Sequence, residues 1–146
     1  MSKFVAIASS SPRTTTAAVE DYLERISELI ETKGYARVVD IAAELKISQA
    51  SVTTMVQRLD AEGLVNYEKY RGMVLTEAGQ KVAARIAHRH ALLTNFLRQL
   101  GLDETVISRD VEGMEHHVST ETFAALDRLT AHLEASPDLR KSLQAE

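Results

Sequence analysis

The chain has 146 residues, 45% of them apolar and 26% charged, an ordinary globular balance that suits one compact domain or two small ones sharing a core. It has no cysteine, which excludes disulfides, zinc fingers, thiol catalysis and iron–sulfur ligation and leaves oxygen and imidazole nitrogen as the only strong metal donors. The net charge of −4 is unevenly spread: residues 33–71 hold six Lys/Arg against five Asp/Glu, and residues 101–146 hold four against ten.

Residues 1–16 are rich in Ser and Thr, show no period, and read as a disordered tail. The apolar run after Met1 is too short for a signal peptide, and no segment approaches the ~20 apolar residues of a membrane span. The expected setting is therefore the cytoplasm, without a membrane partner. From Val19 the apolar residues Tyr22, Leu23, Ile26, Leu29 and Ile30 recur at three- and four-residue steps, which predicts a helix ended by Gly34. Asp21, Glu24, Glu28 and Glu31 fall off that stripe.

A short helix over residues 40–46 turns inward Ile41, Ala42 and Leu45. Ile47-Ser48 makes a turn, and Ser48 caps a helix that buries Val52, Met55, Val56 and Leu59 and stops at Gly63. Two short helices about so tight a turn form a helix-turn-helix. Residues 64–67 and 73–75 read as two strands, and Glu68-Lys69-Tyr70-Arg71-Gly72 as the loop of a hairpin, or wing.

Thr76 caps a long helix over 77–100, with Val82, Ile86, His90, Leu93 and Leu97 along one face. Helices over 103–117 and 120–134 follow, the second with Phe123, Leu126, Leu129 and Leu133 inward, and Ser136-Pro137 precedes a short charged tail helix. The predicted fold is mostly α: an N-terminal winged helix-turn-helix with a small β-hairpin wing, followed by an all-helical region.

The second helix of such a motif enters the major groove. Its outward set includes Thr53, Thr54, Gln57 and partly Ser51 and Arg58. Gln can bridge adenine edges, Arg can bridge guanine, and a Thr methyl can touch thymine. Gln49 and Ser51 stand where helix-start amides meet phosphate, and Lys69 and Arg71 stand in the wing. The alternative is a solvated face, but the order helix, helix, turn, helix, hairpin favours operator DNA. With so few positive charges a single copy binds weakly, and a dimer doubles the contacts.

Glu112, Glu115 and His116 stand at i, i+3 and i+4, which places them on one helical face. Asp21 and Glu24 stand at i, i+3, and His90 lies on an apolar face. Taken singly, these also fit a solvated face, a surface patch and a core histidine. If the three segments meet, four carboxylates repel one another and two divalent cations balance them, with a hard ion such as Mn(II) suited to the donors.

These residues carry a resemblance. The runs Glu20-Asp21-Tyr22-Leu23-Glu24-Arg25-Ile26, Lys33-Gly34-Tyr35-Ala36-Arg37-Val38 and Tyr67-Glu68-Lys69-Tyr70-Arg71-Gly72 are similar to the manganese transport regulator branch of the diphtheria-toxin-repressor family. So are Ser51-Val52-Thr53-x-Met55-Val56-Gln57, Arg89-His90-x-Leu92-Leu93 and Asp110-Val111-Glu112-Gly113-Met114-Glu115-His116-His117.

The resemblance implies a homodimeric repressor of manganese-uptake genes that binds two Mn(II) per subunit, not an enzyme. It implies a DNA-binding domain over 17–76 and a dimerisation and metal-binding domain over 77–146. By the same resemblance Asp21, Glu24, His90, Glu112, Glu115 and His116 are the metal ligands, while His88, His117 and His132 match none. Iron-sensing relatives place Met at the position of Asp21 and Cys or Met at that of Glu112, so carboxylates at both favour manganese. Gln49 stands where the branch usually has Pro, and Thr54 where it has Lys. The alternatives are a repressor responsive to iron or another metal, a manganese buffer, and a binuclear hydrolase.

Overall fold

The computed structural model describes residues 15–144, so the tail expected over 1–16 lies almost wholly outside the described residues. Helix α1 (Ala17–Lys33) is followed by α2 (Val38–Leu45), α3 (Gln49–Ala61) and an antiparallel hairpin of β1 (Val65–Glu68) and β2 (Gly72–Leu75). The remainder is helical: α4 (Glu77–Gln99), α5 (Glu104–Met114), α6 (Thr120–Ala135) and α7 (Pro137–Gln144).

Local chemistry explains the helix starts. Thr16, Ser48, Thr76, Asp103 and Ser119 each accept a hydrogen bond from a first-turn amide of the helix that follows. Each cap satisfies an otherwise orphaned donor and contributes about 1 kcal/mol. Gly34, with φ of 81°, closes α1 because a left-handed residue is needed there and glycine has no Cβ to oppose it.

Two cores form. Val19, Tyr22, Leu23, Ile26 and Leu29 of α1 pack with Ile41, Val52, Val56, Leu59, Val65 and Met73 in the winged half. Leu92, Leu93 and Leu97 of α4 pack with Ile107, Val111 and Phe123 in the other. Helix α1 also packs along α4, and Val82 of α4 leans on the first core. Because α1 bridges the halves, polar residues on its far side are carried to the junction.

Three features depart from the sequence expectations. Ala36 pairs with Met73 as an extra bridge on the hairpin, and the Met73 amide donates to the Ala36 carbonyl at 2.9 Å. The helix expected over 103–117 ends at Met114, with Glu115 as its C-cap. Leu129, expected inward, is 45% exposed, while Thr130 is buried in its place with its hydroxyl donating to the Leu126 carbonyl at 2.8 Å. A threonine can be buried there because the helix's own carbonyl satisfies its only donor.

Candidate metal centre and DNA-reading surface

The centre begins with α1. Its apolar stripe faces the winged core, and the adjoining positions Glu20, Asp21 and Glu24 are left facing the helical half. Glu20 is buried, whereas Asp21 and Glu24 are half-buried. From the other side α4 supplies His90, and the turn after α5 supplies Glu115 and His116. Glu115 is fully buried, with 0% exposure, in a protein where burying a lone carboxylate is costly.

Two donor groups meet at Glu115. One holds Asp21, Glu115 and His116, the other Glu24, His90 and Glu115, and within each group the potential ligand atoms lie within 4.8 Å of one another. His90 Nδ1 is 2.7 Å from Glu115 Oε2. His116 Nε2 is 2.9 Å from Asp21 Oδ1 and 3.5 Å from Glu115 Oε1. Arg89 donates to the Glu115 carbonyl at 3.2 Å and lies over the Phe123 ring, 4.5 Å from its centroid, which fixes the end of α5 against α4 and α6.

Five of the six expected ligands are thus brought together. Glu112 joins neither group; it stands exposed at the rim, its carboxylate 3.7 Å from the guanidinium of Arg25. Helix α5 ends at Met114, but its C-cap Glu115 keeps a helical backbone, with its amide donating to the Val111 carbonyl at 3.0 Å. His88, His117 and His132 are exposed and outside both groups. Glu20 was missed: its Oε2 lies 3.0 Å from His116 Nδ1. A carboxylate beside Asp21, at the border of the apolar stripe, was the only signal available for it.

Electrostatics follow from burial. Burial pushes the Glu24 carboxyl up to about 7, with Glu115, Glu112 and Glu28 adding to the rise and Arg25 opposing it. Burial also raises Glu115, only partly offset by the hydrogen bond and charge of His90. For His116, burial alone would lower the pKa, but the Glu20 hydrogen bond and the charges of Asp21, Glu115 and Glu20 outweigh it and the net shift is upward. Glu24 and Glu115 therefore bind protons more tightly than free carboxylates, and a bound cation would compete for the same atoms.

The residues fit a divalent metal. Glu115 Oε1 and His116 Nε2 are buried without a hydrogen-bond partner, which is rare. Asp21 Oδ1 is near that nitrogen but not aligned as a hydrogen-bond acceptor for it. Acceptor atoms converging in this way call for a shared cation, and an all-oxygen and imidazole set suits a harder divalent ion.

The other surface lies on α3 and the wing. Gln49, Ser51, Thr54, Gln57, Arg58, Lys69 and Arg71 are exposed, and Thr53 is half-buried. Several are held locally: the Ser51 amide donates to Ser48 Oγ at 3.1 Å, the Thr54 hydroxyl to the Ala50 carbonyl at 3.0 Å, and Arg58 to Glu62 at 3.0 Å. Arg71 pairs with Glu68 at 3.5 Å across the wing. The surface-exposed pairs contribute little to stability and leave the cations free to exchange partners.

This is a helix-turn-helix fold whose DNA-reading half is joined to a helical half through a cation-ready centre. Residues 14–73 match the family described as iron dependent repressor, N-terminal DNA binding domain, and residues 76–143 match iron dependent repressor, metal binding and dimerisation domain. The chain belongs to the iron-dependent repressor family. It is 48% identical over 131 residues to the HTH-type transcriptional regulator MntR of Bacillus subtilis (strain 168), covering 90% of this chain and 92% of that protein. It is likewise 48% identical over 130 residues to MntR of Listeria monocytogenes serovar 1/2a, covering 89% and 92%.

Among solved structures, the manganese regulator SloR aligns with a TM-score of 0.67 at 33% identity, over 78% of this chain and 54% of that one. The manganese-activated repressor ScaR in its apo form also aligns at 0.67 and 33%, over 75% and 52%. The chain spans about half the length of those two solved chains. It is a DNA-binding transcriptional regulator with a metal-binding and dimerisation part, which sets aside the buffer and hydrolase alternatives. Among the described residues no helix is long and apolar enough to cross a membrane.

Proposed function

We propose that the chain is a manganese(II)-responsive transcriptional repressor of manganese-uptake genes, acting in the cytoplasm as a homodimer. Residues 17–76 read operator DNA, and residues 77–146 dimerise and complete the metal centre. Asp21, Glu24, His90, Glu115 and His116 hold the metal, with Glu112 as the sixth ligand. Two ions per subunit would balance the four carboxylates among these six, and Glu115, common to both donor groups, would serve both. A bound cation would supply positive charge where the Glu24 and Glu115 carboxyls otherwise bind protons more tightly than free carboxylates.

The observation that carries this reading is the division of the donors. Asp21 and Glu24 sit on α1, which is built into the winged core, while His90, Glu115 and His116 sit on the helical half. Residues from both halves that share one cation fix the spacing of the two recognition helices in a dimer, and operator DNA selects that spacing. Gln49, Ser51, Thr53, Thr54, Gln57 and Arg58 then face the groove, with Lys69 and Arg71 on the backbone. Manganese is favoured over iron by the absence of a sulfur donor among these six residues and by the carboxylate of Asp21.

The test is a gel-shift titration, using DNA selected from random sequence by the Mn(II)-loaded protein. Mn(II) should tighten binding by about 5- to 150-fold, the usual range of a coupling of ~1–3 kcal/mol. DNA affinity unchanged by Mn(II) would overturn the reading. A larger response to Fe(II) than to Mn(II) under anaerobic conditions would transfer it to iron.

A further inference from the structure

Glu20 has no part in the ligand set, yet it is 7% exposed and uses both of its oxygens. Oε1 accepts from the Thr15 hydroxyl at 2.9 Å, and Oε2 lies 3.0 Å from His116 Nδ1. On the other side of the same ring, Nε2 lies 2.9 Å from Asp21. Two consecutive carboxylates of α1 therefore address the two nitrogens of one imidazole.

We propose that Glu20 is a positioning residue for the metal centre, holding His116 as its Nδ1–H tautomer so that the Nε2 lone pair points at Asp21 and Glu115. The inference rests on the metal-binding reading above and assigns the buried carboxylate that this reading leaves unused. An ionised carboxylate only accepts hydrogen bonds, so the Nδ1 facing it must donate. In a neutral imidazole the other nitrogen is then bare.

The competing arrangement is specific. Asp21 would draw the ring proton to Nε2, and a protonated Nε2 cannot ligate. Geometry decides between the two carboxylates: Glu20 is aligned with Nδ1 as a hydrogen-bond partner, whereas Asp21 is close to Nε2 without that alignment. Glu20 is also the more buried of the two, and its second oxygen is anchored by Thr15. A hydrogen bond from the distal nitrogen of a ligating histidine fixes the ring's orientation and raises its basicity.

The test combines two readouts on the full chain. The first is 15N NMR of the His116 imidazole in metal-free protein at pH 8.5, identified by its loss in His116→Gln. Wild type and Glu20→Gln should show the Nδ1–H tautomer, because the Gln amide oxygen can accept from Nδ1 while its NH2 donates to Thr15. Glu20→Ala should shift toward Nε2–H.

The second readout is Mn(II) affinity by calorimetry. Glu20→Ala should lose about 10- to 100-fold, the usual cost of removing such a partner, and Glu20→Gln should recover most of it. An Nε2–H tautomer in the wild type overturns the proposal, as does Glu20→Ala that folds and keeps both the wild-type tautomer and affinity. Should Glu20→Ala fail to fold, the wild-type tautomer and the Glu20→Gln affinity decide, and a Gln variant as weak as a ligand knockout counts against the proposal. A wild type that binds no Mn(II) sinks the metal-binding reading instead, while the tautomer measurement still stands.

Discussion

The DNA-reading surface and the metal centre sit on the same α1-linked framework but are built in opposite ways. The candidate DNA-reading residues of α3 and the wing are exposed apart from the half-buried Thr53, and the hydrogen bonds and ion pairs of Ser51, Thr54, Arg58 and Arg71 run to neighbours three or four residues away. The centre is buried at Glu115 and half-buried around it, and its contacts join residues 25 and 96 positions apart along the chain. A surface that must exchange partners with DNA can be satisfied locally in its absence. A centre that couples two halves of a molecule has to be assembled from both.

The contrast can be broken most sharply at Glu115, which belongs to both donor groups. Glu115→Ala should lower Mn(II) affinity by more than the ~100-fold typical of an outer partner and abolish the DNA response, while metal-independent DNA binding persists. Calorimetry and gel shifts together would check this. Loss of basal DNA binding as well would mean that the two regions are not separable.

The converse change is Gln57→Ala on α3. If Gln57 bridges an adenine, its removal should cost about 1–3 kcal/mol of operator affinity, with calorimetric Mn(II) binding to the DNA-free protein unchanged. An unaltered operator affinity would remove Gln57 from the reading face.

A change of pH should act on the centre and spare the surface. Glu24, pushed up to about 7, together with the raised Glu115 and His116, binds protons more tightly in the folded than in the unfolded chain. Their stabilising contribution is full below the unfolded values and fades as pH rises through the folded ones. In chelator the protein should melt higher at pH 5.5 than at pH 8. Saturating Mn(II) should reverse that order, because protons compete for the same atoms. Thermal melts at the two pH values, with and without metal, would show it.

Asp21→Met sharpens the comparison within the centre. Replacing a hard anionic donor by a soft neutral one should reduce the preference for Mn(II) over Co(II) or Fe(II) several-fold, read as relative activation of DNA binding. An unchanged metal-response profile would exclude Asp21 as a ligand. The smallest effect belongs to the wing: Lys69→Ala with Arg71→Ala should flatten the salt dependence of DNA affinity by about two phosphate contacts, with sequence preference retained.

Caps and periodicity made most of the fold legible. Ser48 and Thr76 announce their helices, and the 3.6-residue spacing of Val19, Tyr22, Leu23, Ile26 and Leu29 announces the face of α1. The Ala36–Met73 bridge was not legible, because a single backbone pairing leaves no side-chain period. Leu129 was misassigned because a leucine at helical spacing reads as core, whereas whether a position faces a neighbour is set by how α6 lies on α4.

The chain's order of residues determined, on its own, which segments are helical, where they start, and that any metal donors must be carboxylate and imidazole. These are local matters of hydrogen-bond capping, side-chain periodicity and composition. Only the tertiary structure decided that Asp21, Glu24, His90 and His116 gather around the buried Glu115, that Glu112 stays at the rim, and that Glu20 reaches His116. Convergence across such separations depends on how helices pack, and burial, which turns a row of acids into a cation site, exists only once they have packed.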